Sequence, residues 1–123
     1  MSFQILAYIT AGAACLLGLR FIFAGAGVLK EWDVEVTAGA LILFRRLGVI
    51  YLGLAVIFLL GRNAAPSDFR SAMCLVMAGA VAVLASMGLF EFLSRRAGAG
   101  IFRSVVGEAV LSAAFIWQWW SGS

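Results

Sequence analysis

Residues 72–90 read AMCLVMAGAVAVLASMGLF, with no charged side chain and no proline. A helix of about 20 apolar residues, rising 1.5 Å per residue, crosses the roughly 30 Å hydrocarbon layer of a bilayer. The stretch has no polar face, and a soluble amphipathic helix needs one. It also lacks the strict alternation of a barrel strand. A lone strand in lipid would leave its backbone groups unpaired, so helix is the local structure these residues support.

Moving outward, three more apolar stretches appear. One covers residues 3–29 and is broken only by Arg20. One covers 40–60, and Arg45 and Arg46 are tolerated in it by extending their charged ends to the interface. One covers 101–120 and contains Glu108. With 71–92 as the third span, the expected architecture is all-α: an integral membrane four-helix bundle, one domain over 1–123. Composition agrees. The chain is 64% hydrophobic and 12% charged, against about half and about a quarter in an ordinary soluble domain. A fold of 123 residues cannot hide that much apolar surface from water.

The connections are short. Residues 30–37 carry mixed charge (Lys30, Glu31, Asp33, Glu35). Residues 61–70 hold Asn63, Pro66, Ser67 and Asp68, and the last two are placed to cap the third helix. Residues 94–100 hold Arg95 and Arg96 among glycines. Lys30, Arg45, Arg46, Arg95, Arg96 and Arg103 flank the first and third connections, whereas Arg62 and Arg70 flank the second. The positive-inside rule therefore places both termini outside a cytoplasmic (inner) membrane. Trp117, Trp119 and Trp120 then anchor the outer interface and Trp32 the inner one. Arg45, Arg46, Arg95 and Arg96 are the candidate anchors for lipid headgroups. The first residues carry no basic cluster, so the first stretch is expected as a retained span rather than a cleaved leader.

In lipid, helices associate by close packing of small residues. The expected seams are Ala13, Arg20, Ala24 and Gly27 on the first helix and Gly48, Tyr51 and Ala55 on the second. Those on the others are Ser71, Ala78, Ala82 and Ala85, then Ser104, Gly107, Glu108, Ser112 and Gln118. Phe21, Phe23, Ile57, Phe58, Leu84 and Phe115 are left to face lipid.

Charges inside spans are rare and cost about 2.5–3.5 kcal/mol on insertion scales. Arg20 and Glu108 are of opposite sign and differ in depth by only about 7 Å at the helical rise. The expectation is an intramembrane ion pair, or a ligand pocket that also takes in Tyr51. Two simpler states stay open: Arg20 reaching the interface alone and Glu108 protonated. Glu91 and Arg95, four residues apart, are expected to pair on the surface.

Several chemistries find no support. The chain has no His, so the commonest metal ligand and general base are missing. No catalytic residues, metal site or cofactor are assigned. Gly25-Ala26-Gly27 and Gly98-Ala99-Gly100 do not form a phosphate cradle. Glu31, Asp33 and Glu35 do not complete a calcium loop. Cys15 and Cys74 stand alone in apolar runs, as packing residues without a disulfide. The net charge of +3 comes from the loops and is not a nucleic-acid signal.

The run Gly18-Leu19-Arg20-Phe21-Ile22-Phe23-Ala24-Gly25-Ala26-Gly27-Val28-Leu29-Lys30 resembles the first helix of DoxX-like small bacterial membrane proteins. There an Arg and a Phe/Ala/Gly-rich stretch close on Gly-x-x-Lys. The segment Arg46-Leu47-Gly48-Val49-Ile50-Tyr51-Leu52-Gly53-Leu54-Ala55 is similar to the next helix of that family and of related four-helix families of unknown function. The resemblance implies a four-helix bundle; some of its members serve quinone or thiol redox systems or act as accessory subunits. Thiol chemistry would need paired cysteines, which this chain lacks. Small multidrug transporters share the size, but their first-helix Glu is replaced here by Arg20, of opposite charge. The function expected is non-enzymatic: an accessory subunit or small homo-oligomer packed through small-residue faces, with the bilayer and a membrane-protein partner as its contacts. The alternative is a small transporter or lipid- or quinone-binding protein using Arg20, Glu108 and Tyr51.

Overall fold

A computed structural model, describing residues 2–121, folds the chain into α1 (Phe3–Phe23), α2 (Gly25–Glu31), α3 (Ala38–Leu60), α4 (Asp68–Leu93) and α5 (Phe102–Ser121). A single 3₁₀ turn, Ala99–Ile101, leads into α5. Four of these helical segments are long and apolar enough to cross a bilayer: α1, α3, α4 and α5 with its leading turn. The protein is an all-α, multi-pass membrane bundle. Hydroxyl caps start three of the spans. Ser2 accepts from the Ile5 amide at 3.3 Å, Thr37 from Ala40 at 3.1 Å and Ser67 from Arg70 at 3.2 Å. Each satisfies one of the amide donors that a helix start leaves without a partner.

The first stretch is not one helix over 3–29. It breaks at Ala24, whose backbone leaves the helical region (φ −137°, ψ 33°) while its amide still reaches Arg20 O at 2.7 Å. No proline marks the break. Gly25 and Gly27 lower the cost of leaving the helix at that point.

α1 lies along α3, and α4 along α5. Glycines set how closely the first pair approaches. A Cβ on Gly48 would come within 2.6 Å of the Gly18 carbonyl oxygen, and one on Gly18 within 2.8 Å of the Gly48 oxygen. The buried positions of α4 are Arg70, Cys74, Ala78, Val81, Ala85 and Gly88. From Cys74 onward the steps alternate between four and three residues, the repeat of a coiled-coil seam. The two pairs join through Phe3, Leu6, Ala7 and Ala11 of α1, Phe58 of α3, Cys74 and Ala78 of α4, and Phe115 of α5. The Phe58 and Phe115 rings lie 5.6 Å apart. Ser112 Oγ donates to Ala78 O at 2.8 Å across the α4–α5 seam.

The assignment of faces by residue size needs correction. Phe21, Phe58 and Phe115 are buried, not lipid-facing, while Phe23, Ile57 and Leu84 do face outward. Ala13, Ala24 and Gly27 are exposed, and α1 instead buries Ala7, Ala11, Ala14 and Gly18. The second seam holds, with Gly48 and Ala55 buried and Tyr51 half-buried. The third keeps Ala78 and Ala85 but not Ser71 or Ala82; the fourth keeps Ser112 and Gln118, with Gly107 outside. The physical reason is that lipid tails are as apolar as the bundle interior. A large ring gains by filling a gap between small residues, and its hydrophobicity does not choose a side.

At the end opposite the basic loops, Arg70 is buried over the Phe3 ring, 4.4 Å from its centroid. Its Nη1 donates to Ala64 O at 3.0 Å. Gln4 Nε2 donates to Asn63 Oδ1 at 2.7 Å. The start of α1 is thereby fastened to the 61–67 connection.

Candidate functional site at the basic end

The charged residues concentrate where the 32–37 and 94–98 connections meet. α2 carries Glu31 to this point. In a straight helix Arg20 and Glu31 would share a face but stand about 16 Å apart, eleven residues at 1.5 Å each. The break at Ala24 folds α2 back, so that Arg20 Nη2 meets Glu31 Oε2 at 2.5 Å. Glu31 Oε1 also takes Arg103 Nη1 of α5 at 3.1 Å. One carboxylate thus ties α1, α2 and α5. The hydrogen bond from Arg20 holds the Glu31 carboxyl below its ordinary value of 4.5, against partial desolvation and with help from the Arg20 and Arg103 charges.

Backbone contacts reinforce the junction. Gly98 N donates to Trp32 O at 2.7 Å. A Cβ on Gly98 would collide with the Asp33 carboxylate, and one on Gly100 with the Glu31 carbonyl. Only glycine allows the two connections to touch in this way. α2 and α4 both end in a left-handed residue, Asp33 (φ 55°) and Arg95 (φ 60°). The amides of Val34 and Arg96 then reach back to Leu29 O and Glu91 O, both at 2.9 Å. This closure is usually made with glycine at the left-handed position.

The expected ion pair between Arg20 and Glu108 is corrected here: the carboxylate paired with Arg20 is Glu31. Glu108 makes no ion pair among the described residues. It is half-buried on α5 and lies within electrostatic reach of Tyr51 on α3. The Tyr51 ring sits edge-on to Phe21, 5.5 Å between centroids, and Phe21 packs on Phe44 at 4.9 Å. Tyr51 and Glu108 share no hydrogen bond, and Arg20 is held at the basic end by Glu31, so the three residues do not gather into one pocket. The surface pair of Glu91 is likewise with Arg96 and not Arg95. Arg96 Nε meets Glu91 Oε2 at 2.5 Å and Nη2 meets Oε1 at 3.3 Å. The left-handed turn at Arg95 takes that residue off the helical path, so i+4 spacing no longer sets its position. The Arg96 guanidinium lies over the Phe90 ring at 5.1 Å. Arg45 and Arg46 are exposed on α3.

Beside the junction lies an open cleft of about 490 Å³ lined by Asp33, Phe92, Leu93, Arg95, Arg96, Ala97 and Gly98. A second, apolar groove of about 330 Å³ runs along α4 over Ala82, Val83, Ser86, Met87 and Phe90. Sequence reasoning missed Glu31, Arg103 and the two loop glycines as parts of a site. The available signal was the spacing of Arg20 and Glu31, three helical turns apart, with glycines between them. Comparison of the chain with family models, curated proteins and solved structures gave no match.

Proposed function

We propose that the protein is a non-enzymatic membrane subunit, associating with copies of itself or with a larger membrane protein through helix faces its own fold leaves uncovered. One observation carries this reading. Gly12, Gly53, Gly79 and Gly107 all lie within spans, and a Cβ added to any of them would meet nothing within 4 Å. Glycine inside a helix costs about 1 kcal/mol relative to alanine. The chain's own packing gives no return for that cost at these sites, whereas the close approach of a neighbouring helix does. The basic end faces the cytoplasm in this reading, in an inner membrane, and the sequence resemblance to DoxX-like proteins points to the same class of accessory role.

Mild extraction followed by native mass analysis tests it. The expected result is a defined assembly, either several copies or fixed stoichiometry with one partner. Gly79→Leu or Gly107→Leu should dissociate that assembly while helical content stays unchanged. A chain that emerges alone, in cross-linked membranes as well as in detergent, overturns the proposal.

A second reading starts from Tyr51 and Glu108, half-buried on α3 and α5 and within electrostatic reach of one another. Two polar groups at that depth are the kind of pair that orients an amphipathic ligand, a lipid or a quinone. Loss of a co-purifying ligand in Glu108→Gln, with the assembly intact, would favour this second reading.

A further inference from the structure

We infer that the cleft at the basic end and the groove along α4 form one binding site for a phospholipid with an anionic headgroup. Phe90 and Arg96 join the two features. Phe90 lines the apolar groove, Arg96 lines the cleft, and the guanidinium lies over the ring at 5.1 Å. From Phe90 to Ala82 the groove descends along α4 by about 12 Å, eight residues at the helical rise. Its wall is apolar except for Ser86, whose hydroxyl is turned to its own helix and donates to Ala82 O at 2.9 Å. An acyl chain fits such a wall, and a free anion has no use for it.

The charges fit the other end of the lipid. Arg95 is exposed, lines the cleft, and makes no hydrogen bond or ion pair with its side chain among the described residues. Arg96 spends Nε and Nη2 on Glu91 and keeps Nη1 for a further acceptor. Two carboxylates face the same region: Glu91, which Arg96 neutralises, and Asp33, seated against Gly98. They leave Arg95 as the cation with open valence, on a backbone fixed by the turn that closes α4. Planar guanidinium donors match phosphate oxygens well. Depth agrees as well, since the cleft lies at the end of α4, where the headgroup layer meets the hydrocarbon. The site rests on the membrane-spanning fold and not on the subunit role proposed above.

The test uses the full chain in detergent and native mass spectrometry with two probes of equal acyl composition, phosphatidylglycerol and phosphatidylcholine. One phosphatidylglycerol per chain is expected to be retained, at least tenfold over phosphatidylcholine. Arg95→Gly, which suits the left-handed backbone, together with Arg96→Gln should lower retention by about fivefold per arginine removed. Arg45→Gln with Arg46→Gln removes the same charge from the same end, and retention should hold. Ala82→Trp, placed in the groove, should displace the lipid while the arginines remain. Equal retention of the two probes overturns the site. So does a loss in the Arg45/Arg46 variant as large as in the Arg95/Arg96 variant, which would show only a diffuse basic surface. Displacement of the lipid by inorganic phosphate alone, with the Ala82→Trp variant unaffected, reassigns the cleft to a free anion and also overturns it.

Discussion

Gly48 shows how much one side chain can decide. Its missing Cβ is the space into which the Gly18 carbonyl and the Ile22 side chain fit. A carbonyl in the middle of a helix cannot swing away, so Gly48→Ala must push α1 and α3 apart along their length. Overpacking of this sort costs about 1–3 kcal/mol. Gly53 lies five residues further along α3 with nothing near its Cβ position. The same substitution there adds helix propensity without a clash, and Gly53→Ala should be neutral or stabilising in the isolated chain by up to about 1 kcal/mol. Denaturation in mixed micelles, followed by tryptophan fluorescence, should separate the two variants in opposite directions. Equal loss in both would mean that α1 and α3 do not cross at Gly18 and Gly48. Gly88 is an intermediate case: its added Cβ would meet the tip of Val105, a side chain able to rotate.

At the scale of the element, α2 is the piece whose position ties the basic end together. It is seven residues long and sits between a helix break and a left-handed turn, too short to hold its shape by helix formation alone. Its place depends on Glu31 and on burial of Val28 and Leu29. A double-mutant cycle of Arg20→Gln and Glu31→Gln should give a coupling of up to about 1 kcal/mol, modest because the Arg20 side chain is 41% exposed. The cycle of Arg20→Gln with Glu108→Gln should give none. The pH dependence has a definite sign. The folded carboxyl lies below its ordinary value of 4.5, so its stabilising contribution is full at neutral pH and fades as the pH falls through that lower folded value. The stability gap between the native chain and Glu31→Gln should therefore close in acid; a gap that widens there would refute the assigned partners. The spans themselves were legible in sequence because length and apolarity suffice to define them. The break at Ala24 was not, since no proline announces it and the Arg20–Glu31 pair that the bent chain makes joins residues eleven apart. The pairing of Arg20 with Glu108 was inferred from depth along straight helices, and the fold of α2 removed that premise.

For the whole molecule, the question is which way the bundle stands in its membrane. The fold gathers Arg20, Lys30, Arg45, Arg46, Arg95, Arg96 and Arg103 toward one end, and leaves Arg62 and Arg70 at the other. Arg20 joins the larger group because Glu31 draws it there, which strengthens an asymmetry the loops alone already show. Acidic partners do not offset this, since orientation follows Lys and Arg and not net charge. The opposite end is instead fastened without an ion pair among the described residues, by Arg70 over the Phe3 ring and by Gln4 on Asn63, and Trp117, Trp119 and Trp120 are exposed around the end of α5. Tryptophans at that position suit a headgroup layer. The interior by itself could not have been deduced from hydropathy, because a bundle in lipid has no hydrophobic inside to detect; the gathering of Lys and Arg at one end could, because charge is unevenly spread along the chain. It follows that a cysteine placed at Ser121 should react with a membrane-impermeant maleimide added to intact cells, and one at Ser94 only after the membrane is opened. Both are exposed positions at opposite ends of α5 and its leading connection, so accessibility and not burial decides the result. Cys15→Ala removes one intrinsic thiol from the background, and Cys74 is buried in the core. The reverse labelling pattern would turn the basic end outward and remove the inner leaflet as the source of any lipid bound at Arg95.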